Sequence, residues 1–295
     1  MGGYVLSCES TVDLSREHLA RRDISYISYP FELGGRAYRD DLGRTVSYDR
    51  FYAEMAAGAE TKTAQINAYE FESYFEPFLR EGKDVLHLCL SSGLTGVMAA
   101  AQQAKANLLE KYPERKIYLV DSLAASGGIG LLMDKLADLR DEGVGLEELA
   151  QWAEENKLRV HHWFFSTDLT FYIRGGRISK ASGAVGALLG ICPLLNVSVE
   201  GKLIPRKKIR SKKRVIQAIV DHMEQYADDG LDYSGKCFLC HSACYDDARQ
   251  VADLVEARFP RLNGRVEINS IGTTIGSHTG PGTVALFFWG SPREN

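Results

Sequence analysis

The chain has 295 residues, of which 45% are hydrophobic and 25% charged, and a formal net charge of −4. That suffices for one large or two ordinary globular domains, and the balance gives no general attraction to nucleic acid or an anionic membrane. No run of eighteen uninterrupted apolar residues is present to span a bilayer.

The opening Met1–Glu9 lacks the basic start and long apolar stretch of an export signal. A myristoylation signal at Gly2 would want Ser or Thr where Leu6 stands. We therefore expect a cytoplasmic protein and read its six cysteines as reduced thiols.

The first half alternates short apolar runs with helical patterns. Tyr4-Val5-Leu6 predicts a strand running into a loop at Cys8–Asp13. Ser15 caps a helix to about Arg22, and Ile24–Ile27 is a second strand. Ser47 caps a helix over Tyr48–Ala57, and Ala68–Glu81 is amphipathic, with Phe71, Tyr74, Phe75 and Phe78 at helical spacing. A strand at Asp84–Leu90, a helix at Leu94–Lys111, a strand at Lys116–Val120 and a helix at Ala124–Glu142 follow. This alternation predicts right-handed crossovers and a largely parallel sheet.

The rhythm changes after about Arg159. Val160–Phe165 is strand-like, and after Asp168–Ile178 comes a small-residue helix at Ala181–Gly190. Cys192–Val199 and Lys202–Arg210 predict a hairpin turning at Glu200-Gly201. Then come a helix at Lys212–Tyr226, a strand at Cys237–His241, a helix at Asp246–Arg258, a strand at Arg265–Ser270 and a last strand at Val284–Trp289. The expected fold class is α/β in two domains, 1–158 and 159–295. The first has a mostly parallel sheet with flanking helices, the second helices on a mostly antiparallel sheet.

Several segments carry chemistry-bearing residues. Leu90-Ser91-Ser92-Gly93-Leu94-Thr95-Gly96 ends a strand in a hydroxyl-rich turn before a long helix, where free N–H groups and the helix dipole suit an anion; equally, Ser91 or Ser92 simply caps that helix. Thr61–Asn67 reads as a polar loop in which Thr63 offers a hydroxyl and Asn67 caps the next helix. Ile271–Gly282 places His278 among four glycines, a loop able to press against a ligand. Phe171–Ile178 sets Arg174 and Arg177 around a Gly-Gly turn, matching either an anion or a surface helix end. Arg206–Arg214 reads as a docking patch for an acidic partner or, more commonly for such runs, a solvated basic face, without the interleaved aromatics that nucleic-acid binding wants. Cys237-Phe238-Leu239-Cys240-His241, with Cys244, has the spacing of a haem attachment site or part of a zinc site, or of a buried strand. Ser91 or Ser92, His278 and Asp121 supply the composition of a triad, without a G-x-S-x-G elbow.

Taken in order, Glu9-Ser10-Thr11, Lys62-Thr63-Ala64-Gln65, Leu90–Gly96, Val120-Asp121-Ser122, Gly175–Ile178, Pro193-Leu194-Leu195 with Glu200-Gly201-Lys202, and Ile275–Gly282 resemble the DegV family of bacterial fatty-acid-binding proteins. The resemblance spans nearly the whole chain. It implies a long-chain fatty acid held between two domains, its carboxylate met by Thr63, Ser92 with neighbouring Ser91, and His278, and Arg177 near the head group or a kinase contact. It also implies no catalytic residue, metal or cofactor. The partner is a separate dihydroxyacetone-kinase-like fatty acid kinase subunit that phosphorylates the carboxylate for phospholipid synthesis, with transient contact to a membrane surface. The family's usual Asp-Ser is Glu9-Ser10 here, its usual Ser is Ala64, and its usual Pro-Ser is Ile66-Asn67.

Lining candidates for the acyl chain are Phe164, Phe165, Phe171, Ile173, Leu188, Leu189, Ile191 and Leu194. Two other functions fit the residues: a stand-alone acyl or phosphoryl hydrolase using Ser92 and His278, and a haem or zinc protein through Cys237, Cys240 and His241.

Overall fold

The computed structural model describes residues 3–179 and 190–294. All but the last residue of the expected helix at Ala181–Gly190, and with it Leu188 and Leu189, lie outside them. No helix among the described residues is long and apolar enough to cross a membrane.

The first half is built on a four-stranded, fully parallel sheet. Its strands are β1 (Tyr4–Glu9), β2 (Ile24–Ile27), β6 (Asp84–Cys89) and β7 (Ile117–Asp121), in the order β2-β1-β6-β7. The crossovers are α1 (Arg16–Arg21), α3 (Ala68–Arg80) and α4 (Val97–Lys111). Sequence signals place them well. Ser15 accepts from His18 N, and Asn67 and Glu70 make a reciprocal capping box at the start of α3. Phe71 and Phe75 of α3 are fully buried, as their four-residue spacing requires. Two helices complete the layer: α5 (Gly127–Asp141) and α6 (Leu146–Asn156), which lies on β7.

A small antiparallel sheet sits beside it, with β3 (Pro30–Leu33) between β4 (Arg36–Arg39) and β5 (Thr61–Thr63). The expected polar loop at Thr61–Asn67 therefore begins as a strand. It packs with α2 (Tyr48–Ala56) around Phe31, Leu33 and Phe51.

The second half is a six-stranded sheet in the order β10-β9-β8-β13-β11-β12, antiparallel except for the β11–β12 pair. The strands are β8 (Val160–Ser166), β9 (Ile191–Val197), β10 (Leu203–Arg210), β11 (Phe238–His241), β12 (Glu267–Ser270) and β13 (Thr283–Trp289). Two-residue alternation divides them sharply. Trp163, Phe165, Val284, Leu286 and Phe288 pack on one face with α8 (Lys212–Tyr226) and α9 (Tyr245–Arg258). Phe164, Ala285 and Phe287 face α5 and the first half. A short helix, α7 (Thr170–Arg174), follows β8. The glycine-rich segment read as a loop contains a helix, α10 (Thr273–Thr279).

Candidate ligand site

A cavity of about 320 Å³ lies between the two halves. Its apolar wall includes Phe164 and Phe287 from the antiparallel sheet, Tyr172 from α7, and Leu90 and Leu94 beyond the end of β6. Of the expected lining residues Phe164 is there. Phe165 and Leu194 belong to the core on the opposite face of their sheet, because alternation turns neighbours away from each other. Phe171 packs beside the small sheet, and Ile173 against the main core.

The polar mouth is assembled from four separate elements. Strand β5 carries Thr63, α10 carries His278, the turn after α7 carries Arg177, and the turn before α4 carries Thr95. Thr63 Oγ1 is 2.7 Å from His278 Nε2, and Arg177 Nη1 is 3.2 Å from His278 Nδ1. Arginine can only donate, so Nδ1 accepts and the remaining ring proton sits on Nε2, aimed at Thr63 Oγ1. The Thr63 hydroxyl proton is left to turn into the cavity. Burial, and then the neighbouring Arg177 charge, push His278 down to about 4, so the imidazole is neutral at pH 7. Burial also lowers Arg177, which donates to the carbonyls of Gly175 (2.6 Å) and Leu94 (3.2 Å). A Cβ at position 175 would collide with His278 Nδ1, so glycine there permits the close approach.

The two serines sit elsewhere. The turn Ser92–Leu94 delays α4 to Val97, three residues beyond the expected start, so Thr95 is the hydroxyl nearest the helix N-terminus. Ser91 is buried and donates to Gly201 O at 2.9 Å, fastening the turn of the β9–β10 hairpin. Gly201 has a φ of 71°, and a Cβ there would strike Ser91 Oγ. Ser92 is exposed, and its backbone N–H donates to Asp121 Oδ1. Neither serine lines the cavity. Thr95 and Tyr29 also line the cavity; Thr95 belongs to the hydroxyl-rich Leu90–Gly96 turn, whereas Tyr29 carries no local sequence signal.

Two rival chemistries lose their geometry. His278 Nδ1 meets a guanidinium where a hydrolase triad needs a carboxylate. Cys237 and Cys240 join the cores on opposite faces of the second half's sheet, so the two thiols do not converge on one ion. Burial raises both thiols.

Fold and cavity define a class: a two-domain α/β protein with an apolar chamber closed between unlike sheets and a cationic, hydroxyl-bearing mouth. The chain belongs to the DegV family, whose family model matches residues 6–290. A DegV domain-containing protein of Clostridium perfringens is 33% identical over 294 residues, 100% of each chain. A fatty-acid-binding DegV family protein of Thermus thermophilus superimposes with a TM-score of 0.86 at 25% identity, covering 98% of this chain and 99% of that one. The Streptococcus pneumoniae Fatty Acid Kinase B3 protein, loaded with linoleic acid, gives 0.84 at 22%, covering 97% and 99%.

Proposed function

We propose that the chain holds one long-chain fatty acid in this cavity, with its carboxylate at Thr63, Thr95 and Arg177 and with His278 as the group that orients them. The observation that carries the reading is Arg177 at the mouth of an apolar chamber, without a carboxylate partner among the described residues. Each methylene taken from water gains about 0.8 kcal/mol, and a buried carboxylate is tolerable only where a cation and hydrogen-bond donors meet it. Ser91 and Ser92 have a different part in this reading: they hold the turn that presents Thr95. The fatty acids bound by the Thermus and Streptococcus proteins support the ligand class.

The carrier presents the carboxylate to a separate kinase subunit for acyl-phosphate formation, a role supported by the kinase name of the Streptococcus protein. Native mass spectrometry of the purified chain tests the first half. One fatty acid per chain is expected, and a ligand-free protein that ignores palmitate and oleate overturns the reading. Acyl phosphate should form only when a fatty acid kinase subunit, ATP and the loaded chain are combined; release of acyl phosphate or free acid from esters by the chain alone would overturn the carrier role.

A further inference from the structure

Strands β1 and β6 bring together three side chains that the ligand site does not use. Glu9 ends β1, and His87 and Cys89 lie two residues apart on β6, on one face of that strand. Ser7 pairs with His87 in the parallel register, which sets Glu9 level with Cys89. One carboxylate oxygen, one imidazole nitrogen and the thiol sulfur lie within 4.8 Å of one another. All three residues are 1% exposed or less.

His87 Nε2 has no hydrogen-bond partner, and Glu9 Oε1 has none besides the neighbouring Cys89 thiol. They stand 3.7 Å apart, too far for a direct hydrogen bond. The other ends of both groups are committed. Glu9 Oε2 accepts from Leu90 N at 3.0 Å and from the Tyr29 hydroxyl at 3.1 Å. His87 Nδ1 is 2.8 Å from Ser7 Oγ, which is 2.8 Å from the Tyr74 hydroxyl. A buried polar atom left unpaired is costly, and here an unpaired imidazole nitrogen, a carboxylate oxygen and a thiol share one focus. Zinc–oxygen and zinc–nitrogen bonds of about 2.0–2.2 Å in a tetrahedral shell place those two donors about 3.3–3.5 Å apart, so Glu9 and His87, 3.7 Å apart, have to close by only roughly 0.2–0.4 Å to hold one ion.

We propose that Glu9, His87 and Cys89 form a buried binding site for a zinc-class divalent metal ion beneath the ligand cavity. The oxygen, nitrogen and sulfur donors select a borderline-soft ion over magnesium or calcium, which want oxygen alone. Ser7 orients His87 through the opposite ring nitrogen, as metal-bound histidines are commonly oriented. Three protein ligands leave a fourth position for a water. The ion ties β1 to β6 directly behind Leu90 and Tyr29, both of which line the cavity, so it fixes that wall without touching the bound acid. The site is independent of the fatty-acid reading, and either can fail alone.

Cobalt(II) is the probe. The full chain is unfolded in guanidinium with reductant and refolded by dilution with cobalt(II) chloride, circular dichroism reporting recovery of the native spectrum. One bound cobalt per chain, a sulfur-to-cobalt charge-transfer band in the near ultraviolet and the strong visible absorption of a tetrahedral site are expected. Cys89→Ser should lose the charge-transfer band and Cys240→Ser should keep it. A natively refolded chain without the band, or a band that survives Cys89→Ser, overturns the site. Where refolding fails, elemental analysis of the chain purified from zinc-supplemented culture decides: stoichiometric zinc supports the site, and a folded chain without it refutes it.

Discussion

Two polar clusters join the halves of the molecule, and they are balanced in opposite ways. On one side His18 bonds to Asp134 (2.9 Å) and Glu267 (3.0 Å), Lys236 to Asp134 (2.5 Å) and Asp138 (2.9 Å), and Arg22 to Asp138 (2.7 Å). Every cation there meets a carboxylate. At the cavity mouth Arg177 meets carbonyls, a neutral imidazole and, among the described residues, no carboxylate. The two histidines register the difference. Burial opposes the charge of His18, but its bonds to Asp134 and Glu267 lift it to about 9; burial and Arg177 together drive His278 down to about 4. The seam satisfies its own charges, whereas the mouth keeps a cation in reserve.

The seam supplies the largest expected effect. His18 is raised above its usual value of about 6.5, so its stabilisation is fully present below pH 6.5 and is lost as pH rises through 9. The shift corresponds to stability on the order of 3 kcal/mol. His18→Gln should lower urea-unfolding stability by about that amount at pH 6 and flatten its decline between pH 6.5 and 9. An unchanged profile would remove the contrast between the two clusters. The depressed His278 acts with the opposite sign: its contribution stands above pH 6.5 and falls away as pH drops through 4.

Arg177→Met tests the mouth directly. Removing the cation should weaken fatty-acid binding on the order of 100-fold, or about 2.7 kcal/mol, read by displacement of a fluorescent fatty acid, with unfolding stability close to wild type. Thr63→Val should cost less, roughly tenfold, because one hydrogen bond to a charged group contributes about 1.5 kcal/mol at the low end, and Thr63→Ser should restore most of it. Equal affinity in all three variants would mean that the carboxylate sits elsewhere.

Much of this architecture is legible in the sequence wherever local signals agree with tertiary packing. The helix at Lys212–Tyr226 is found to the residue, and the hairpin turning at Glu200-Gly201 has its expected pairing. The failures have physical causes. Strands β3 to β5 are short, and β4 and β5 are largely polar and little buried, so they lack the apolar run that marks the equally short β2. Helix α6 buries Ala150 and Ala153, small residues that give little apolar signal. Helix α10 runs against propensity, being mostly Thr, Gly and Ser. It is capped from afar: Asp13 accepts from Gly272 N, and Asp40 accepts from Thr274 N and its hydroxyl. Both carboxylates stand more than two hundred residues away in the chain, so no window of sequence contains the cap that holds His278 in place. In the same way, the neutral state of His278 depends on burial and on a contact with Arg177, neither of which spacing alone reveals.

The smallest expected effect bears on the finest point, which hydroxyl of the Ser-Ser-Gly-Leu-Thr turn faces the ligand. Ser92 is exposed and uses its backbone N–H toward Asp121, a bond that alanine retains. Ser92→Ala should therefore change fatty-acid affinity less than about twofold, the range of a surface substitution that touches no packed or paired group. Thr95→Val keeps the shape but removes a hydroxyl from the cavity wall, and should weaken binding several-fold in the same displacement assay. The opposite ranking, with Ser92→Ala the more damaging, would require the turn to roll so that Ser92 enters the chamber. Such a roll would carry Gly93 away from the Glu200-Gly201 backbone it now packs against and strain the Ser91 bond to Gly201. Hydrogen–deuterium exchange at the hairpin turn on adding palmitate separates the two arrangements: protection of that turn should stay unchanged if Thr95 is the donor and fall if the turn rolls.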